Sequence, residues 1–410
     1  MDSQRLAQVR TAMAEAELDA LVCRLPENVV MLSGHWPLIG WSFLLFPREG
    51  RPLIVVPHCD EREARGELWE AECVSFLFGV LAGGDPYADI AGALKQAAAG
   101  KGWQRIGFEG SFETVAPPWN AAEPAIPAAA TRTLLEGVFG ADALVDASDL
   151  LMAQRARKTA AEQEKLRIVN EISEFGLELF LRSVAVGVSG IDLVTAVESE
   201  IVKQGTGYKG AKRVRAFAQV STGLEACAIA YRPMVVSTTT PLASGDPALL
   251  ELAVVADGFW CDRTRVAVAG EASPIQQAAL KAVREAQAAA IAAVKPGVTA
   301  GEVDKAARDV IHAAGFTDDE FLHVTGHGLG LRYHEPVPLL CPGGDTVLEE
   351  GMLHTVEPGV YRADFGGFRI EDNVLVTADG VEVMGKGNDE IPKYPKTQGM
   401  TNDEILSPNL

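Results

Sequence analysis

The sequence predicts an α/β domain over residues 1–150, then an α+β domain over 151–385 with helices packed on one side of a curved antiparallel sheet, then a polar tail at 386–410. Three observations predict this. The chain has 410 residues, too many for one ordinary core. Its first part alternates short apolar runs with helical patterns. Its second part joins strand-like runs by tight-turn signals rather than by crossover helices.

The elements follow in order. Ser3 can cap a first helix with Leu6, Val9 and Met13 along one face. Residues 20–23, 42–46 and 52–56 are short apolar runs bounded by Pro, Gly or charge, and so read as strands. Residues 88–99 read as a helix, 105–108 as a further strand, and 146–158 as a connection. No nucleotide-binding glycine pattern occurs in this part. A long amphipathic helix begins near Thr159, with Leu166, Val169, Ile172 and Phe175 spaced for one face. Another starts after Ser189-Gly190. Thr299 and Glu302 form a capping box, opening a helix that runs to about Ala314 before Gly315.

Composition bounds the function. At 48% hydrophobic the chain can bury substantial cores. A net charge of −20 without any basic block argues against nucleic acid and anionic membrane surfaces as expected partners. The start lacks an apolar signal core and no run is long enough to span a bilayer, so the cytoplasm is the expected location. Six dispersed cysteines without a C-x-x-C pair are expected to be reduced and structural. Cys261 precedes Asp262, but strand alternation points it to the opposite face.

The chemistry-bearing residues lie in the last part of the chain. Asp257-Gly258 between two strand-like runs signals a two-residue hairpin turn. Centred there, Asp262 falls opposite Ala253, and Glu251 shares its face diagonally. Folding back around Asp364 sets Glu357 opposite Glu371, and Pro358-Gly359 then ends or distorts the first strand. One such acidic pair is ordinarily a solvated face. Two pairs converging in one fold repel unless cations neutralise them. Only seven histidines occur, and three of them, His323, His327 and His334, fall in one Gly-rich stretch. Gly326 and Gly328 flank His327 and would let backbone and ligand approach closely. Oxygen donors with one imidazole suit Mn²⁺, Fe²⁺, Co²⁺ or Zn²⁺ better than a thiolate-preferring site. Two such ions sharing a hydroxide form a device for hydrolysis.

At these residues the chain resembles the pita-bread metallohydrolases (the M24 peptidases), the family of methionine aminopeptidase, aminopeptidase P, prolidase and creatinase. Pro26-Glu-Asn28 and Leu32-Ser-Gly34 are similar to the creatinase-type N-terminal domain. Gly245-Asp246, His323-x-x-x-His327-Gly, His334-Glu335-x-Pro, Glu357-Pro-Gly-x-Tyr361 and Arg369-x-Glu371-Asp follow in the family's order. The resemblance implies a pita-bread catalytic domain and a homodimer. It implies two divalent ions, manganese first with zinc, cobalt or iron as alternatives, held by Glu251, Asp262, His327, Glu357 and Glu371. It further implies that His323 and His334 contact substrate and stabilise the tetrahedral intermediate, that Glu357 shuttles a proton, and that Arg369 orients the carboxylates.

Two departures stand out. The family has Asp where this chain has Glu251, whose extra methylene adds roughly 1.5 Å of reach. The proline-specific peptidases carry a substrate His where Ala230 stands here, beside Tyr231, which is either a replacement hydrogen-bonding residue or a structural one. The leading reading is a metal-dependent hydrolase of the prolidase or aminopeptidase P type, cleaving an amide bond in a short peptide or small-molecule amide. The alternatives are a creatinase-like C–N hydrolase or lyase acting on a small metabolite, and a catalytically inactive binding protein.

Overall fold

The computed structural model describes residues 2–37, 40–78, 80, 83–111, 128–232 and 237–385, so the expected tail at 386–410 lies outside the described residues. The chain divides into two compact units, the first ending at Arg155 and the second resuming at Ala156.

The first unit holds a six-stranded mixed sheet, ordered β4-β3-β2-β1-β5-β6. Its strands are β1 (Ala20–Cys23), β2 (Phe43–Pro47), β3 (Leu53–Pro57), β4 (Glu72–Phe76), β5 (Ile106–Phe108) and β6 (Leu144–Asp146). Its helices are α1 (Ser3–Glu15), α2 (Pro26–Ser33), α3 (Glu61–Glu67), α4 (Pro86–Ala98), α5 (Ala128–Phe139) and α6 (Ser148–Ala156). β1, β2 and β3 are buried at every position, so they lack alternation and appear in sequence as apolar runs. Two expectations are corrected. Asp2, not Ser3, caps α1: its carboxylate accepts from the Arg5 amide at 3.0 Å, and Ser3 is the first helical residue. The expected connection at 146–158 contains α6, whose residues include neither Pro nor Gly and bury Leu151.

The second unit contains α7 (Ala160–Ser183), α8 (Gly190–Gly205), β7 (Val214–Thr222), α9 (Leu224–Ala228), β8 (Pro247–Ala256) and β9 (Phe259–Val268). It continues through α10 (Pro274–Ala293), α11 (Ala300–Ala313), β10 (Gly326–Gly328), β11 (Glu335–Leu340), β12 (Leu353–Val356), β13 (Gly359–Arg362), β14 (Gly366–Arg369), β15 (Asp372–Val376) and β16 (Val381–Val383). Thr159, Ser189 and Thr299 each form a capping box with the residue three positions on. Leu166, Val169 and Ile172 on α7 are buried, whereas Phe175 is half-buried and packs edge-on against Tyr208.

Strands β7, β8 and β9 form one sheet, and β11-β10-β12-β15-β16 another. The β8–β9 turn uses Asp257 and Gly258, both at positive φ, the geometry that matches strand twist in a two-residue hairpin. Its register pairs Ala253 with Asp262 and Glu251 with Thr264. Alternate residues then face opposite ways. The Cys261 thiol donates to the Val169 carbonyl of α7 and Arg263 donates to Ser173 of α7, so Glu251, Asp262 and Thr264 share the other face.

The second hairpin is interrupted. β12 pairs with β15 up to Val356–Asp372, and β13 pairs with β14 from Gly359–Arg369. The registers are continuous, which sets Glu357 opposite Glu371 in the gap between the two ladders. There the Glu357 amide donates to the Thr325 carbonyl at 2.8 Å and the Glu371 amide to the Thr264 carbonyl at 3.1 Å. Pro358 has no amide to donate. The gap therefore ties Glu357 to the residue before β10 and Glu371 to β9, and leaves their carboxylates turned inward.

Candidate metal centre and active site

Asp262 is fixed by reciprocal bonds with Asn373 of β15: its amide donates to Oδ1 at 3.2 Å, and Nδ2 donates to its carbonyl at 2.6 Å. His327 is fixed by its strand. A Cβ on Gly326 would lie 2.1 Å from the Thr355 carbonyl oxygen, and one on Gly328 would lie 2.2 Å from that of Val337. The flanking glycines thus admit β12 and β11 against β10. The His327 amide donates to Thr355 Oγ1 at 3.0 Å, and the same hydroxyl donates to Glu357 Oε1 at 3.1 Å.

The imidazole tautomer follows from its partners. His327 Nδ1 lies 2.9 Å from the Gly328 carbonyl, which can only accept, so Nδ1 carries the proton. Nε2 then faces Asp262 Oδ2 at 3.6 Å and Glu357 Oε1 at 3.5 Å. Among the described residues two overlapping groups of donor atoms lie within 4.8 Å of one another: Asp262, His327 and His334, and His327, Glu357 and Glu371.

The donors fit a divalent cation. Among the described residues, Asp262 Oδ1 and Glu371 Oε1 are buried without a hydrogen-bond partner, an arrangement costly for a carboxylate unless a cation accompanies it. Burial, reinforced by the neighbouring carboxylates, pushes the Asp262 carboxyl up to about 7. It raises Glu357 and Glu371 as well. Burial works to lower His327, but the Asp262 contact and the Glu357 charge win and push it up to about 9. A proton is held where the donors converge, and a metal ion can take its place.

Glu251 belongs to neither donor group. Its Oε2 accepts from Arg369 Nη2 at 2.6 Å, and its Oε1 from the Tyr333 hydroxyl at 2.8 Å and Gln219 Nε2 at 3.5 Å. Burial opposes its ionisation, yet the Arg369 charge and the Tyr333 hydroxyl outweigh burial and hold the carboxyl below its ordinary value. The guanidinium of Arg369 also donates from Nε to Thr264 Oγ1 at 3.1 Å, and from Nη1 to the Ala230 carbonyl at 3.2 Å and the Tyr361 hydroxyl at 3.1 Å. Thr264 passes its own proton to Glu371 Oε2 at 2.7 Å.

His323 ends this network. Its Nδ1 donates to the Val324 carbonyl at 2.8 Å, and its Nε2 lies 2.9 Å from the Tyr361 hydroxyl. Burial and the Arg369 charge push its pKa down to about 3, so the ring is neutral and Nε2 accepts from Tyr361. His334 lies beside His327, ring centroids 4.2 Å apart. Tyr231 packs edge-on against Tyr361 at 5.4 Å, and its hydroxyl accepts from Arg232 at 3.2 Å.

Asp262, His327, His334, Glu357 and Glu371 therefore converge, while His323, Arg369 and Glu251 are linked to them through Tyr361, Thr264 and Tyr333. The sequence reading did not single out those three residues or Thr355. Alternation from Asp262 could have found Thr264, and Tyr361 closes a motif already in view.

Carboxylates gathered around His327 and His334 on antiparallel strands make the donor set of a metal-dependent enzyme. The chain belongs to metallopeptidase family M24, whose family model matches residues 164–378, and the creatinase/prolidase N-terminal domain matches residues 5–157. It is 30% identical to the Xaa-Pro dipeptidase of Lactobacillus delbrueckii subsp. lactis, over 86% of this chain and 88% of the relative. It superposes on the Xaa-Pro dipeptidase of Bacillus anthracis with a TM-score of 0.76 at 27% identity, over 94% of this chain and 97% of the other. The prolidase of Pyrococcus horikoshii gives 0.76 at 25% identity, over 95% and 100%. The fold is the pita-bread fold of these prolidases with a creatinase-type N-terminal domain.

Proposed function

We propose that this protein is a metal-dependent dipeptidase of the prolidase type, cleaving the amide bond before proline in short peptides. The observation that carries the proposal is that Asp262, His327 and His334, and His327, Glu357 and Glu371, bring donor atoms within 4.8 Å of one another around His327. Asp262, His327, Glu357 and Glu371 would hold the divalent metal, manganese first by donor chemistry. The two overlapping donor groups share His327, so the donor atoms gather around that one imidazole. A bound divalent ion supplies a nucleophilic water of lowered pKa and polarises the scissile carbonyl.

The side chains do the remaining work. Glu357, with its carboxyl raised by burial, takes a proton and returns it to the leaving nitrogen. Neutral His323 offers an acceptor rather than a donor. The Tyr361 hydroxyl, held and polarised by Arg369, would serve a developing oxyanion by turning its one proton from His323 Nε2 to the substrate. Manganese-loaded protein should release the residue before proline from a panel of Xaa-Pro dipeptides. A loaded, folded sample that leaves the whole panel intact overturns the proposal. A second reading, hydrolysis of a small non-proline C–N substrate, is favoured by Ala230, whose methyl group offers no hydrogen bond. Turnover of non-proline amides with the Xaa-Pro panel untouched would select it.

A further inference from the structure

We infer that this chain holds one divalent ion tightly, centred on His327, and that Glu251 is not a ligand but a positioning residue that fixes Arg369 and Tyr333. The inference rests on the metal-centre reading above and concerns how many ions that centre retains.

The two kinds of carboxylate in the site differ in what they have left to give. Asp262 and Glu371 each keep one buried oxygen without a partner among the described residues. Glu251 has both oxygens engaged, one by the Arg369 guanidinium at 2.6 Å and the other by Tyr333 at 2.8 Å with Gln219 at 3.5 Å. The donor atoms that lie within 4.8 Å of one another all group around His327, and Glu251 contributes to neither group. A second ion that recruited Glu251 would have to take the carboxylate from Arg369. That guanidinium is buried, and a cation beside it would meet its charge.

Length explains why the pair forms. Glu251 sits diagonally from Asp262 on the same hairpin face, and its extra methylene carries the carboxylate roughly 1.5 Å further than Asp would reach. Arg369 cannot follow a shorter side chain, because Thr264, the Ala230 carbonyl and Tyr361 hold its other nitrogens. An aspartate at 251 would fall short of Arg369 and leave its carboxylate free to ligate.

The test is metal stoichiometry, read by calorimetric titration of chelator-stripped protein with Mn²⁺, by elemental analysis after desalting, and by electron paramagnetic resonance. Wild type should retain one Mn²⁺ per chain with the spectrum of an isolated ion. Glu251→Asp should retain two, with a spin-coupled signal. Glu251→Gln should still retain one, which keeps the inference testable if the aspartate variant does not fold. Two ions bound by wild type with affinities within about tenfold of each other, or loss of the single ion in Glu251→Gln, overturns the inference. Wild type that retains no ion overturns the metal-centre reading itself; where wild type retains one ion, His327→Ala should abolish it, and an ion still held by that variant overturns the inference.

Discussion

Two hydroxyl-bearing residues organise the site at the scale of single side chains. Thr264 receives Arg369 and donates to Glu371, and Tyr361 receives Arg369 and donates to His323. Each passes the guanidinium's polarisation to a functional group. Removing the Tyr361 hydroxyl leaves the ring packed against Tyr231 but deletes the hydroxyl that donates to His323 Nε2. Tyr361→Phe should therefore lower kcat by about 100-fold, the scale for losing one oxyanion donor, with little change in KM. Steady-state rates on an Xaa-Pro dipeptide check this, and an unchanged kcat would remove Tyr361 from the chemistry. Asp262 should show a sign reversal. In metal-free protein at neutral pH it is a buried carboxyl beside other carboxylates, so Asp262→Asn should leave the stripped protein as stable as wild type or more so, while losing Mn²⁺-dependent stabilisation. Urea melts with and without Mn²⁺ decide it. A variant destabilised equally in both conditions would make Asp262 structural.

At the scale of elements, what was legible in sequence was what local chemistry dictates. The capping boxes at Thr159, Ser189 and Thr299, and the Asp257-Gly258 turn, place their elements because the residues that satisfy the backbone are within a few positions of it. The turn in turn fixed the Glu251–Asp262 diagonal. The break between β12 and β13 was only half legible. Pro358 announces it, but the amides of Glu357 and Glu371 pair with Thr325, just before β10, and Thr264 of β9, which sequence spacing does not bring near. The Glu251–Arg369 pair spans 118 positions and was not legible at all. Gly326 and Gly328 were read as room for backbone and ligand to approach closely, and each faces a backbone carbonyl of a neighbouring strand. Gly328→Ala should therefore force β10 from β11 and destabilise the fold by about 1–3 kcal/mol, the scale of overpacking, and should weaken Mn²⁺ retention by displacing His327. A lowered urea midpoint together with reduced metal content is expected. Normal stability with normal metal content would mean the strands are less closely packed than described.

Across the whole molecule, the site acts as a pH-dependent charge on folding. The metal-free protein holds Asp262 at about 7 and His327 at about 9, both above their ordinary values of 3.8 and 6.5. A group whose pKa is raised by folding stabilises the fold below its unfolded value, and that stability is lost as pH rises through the folded value. Both groups act with the same sign; His323 and His354, pushed down by burial to about 3 and about 4, act with the opposite sign, but their contribution is complete above the ordinary histidine value of 6.5, so the stripped protein should weaken from about pH 6.5 to about pH 9. Glu251 and Asp372, held low by Arg369 and by Arg263 with Arg265, act with the opposite sign. Their contribution is already complete above the ordinary carboxylate range, so they add no slope at neutral pH. A divalent ion replaces the protons that Asp262 and His327 would otherwise hold, and its affinity rises as they leave. Thermal melts of stripped and Mn²⁺-loaded protein should therefore diverge with pH, with a wider gap at about pH 8.5 than at about pH 5.5 and proton release on titration at neutral pH. Curves that stay parallel across that window would mean that no ion competes with protons at His327, and the cluster would then be a polar core rather than a metal centre.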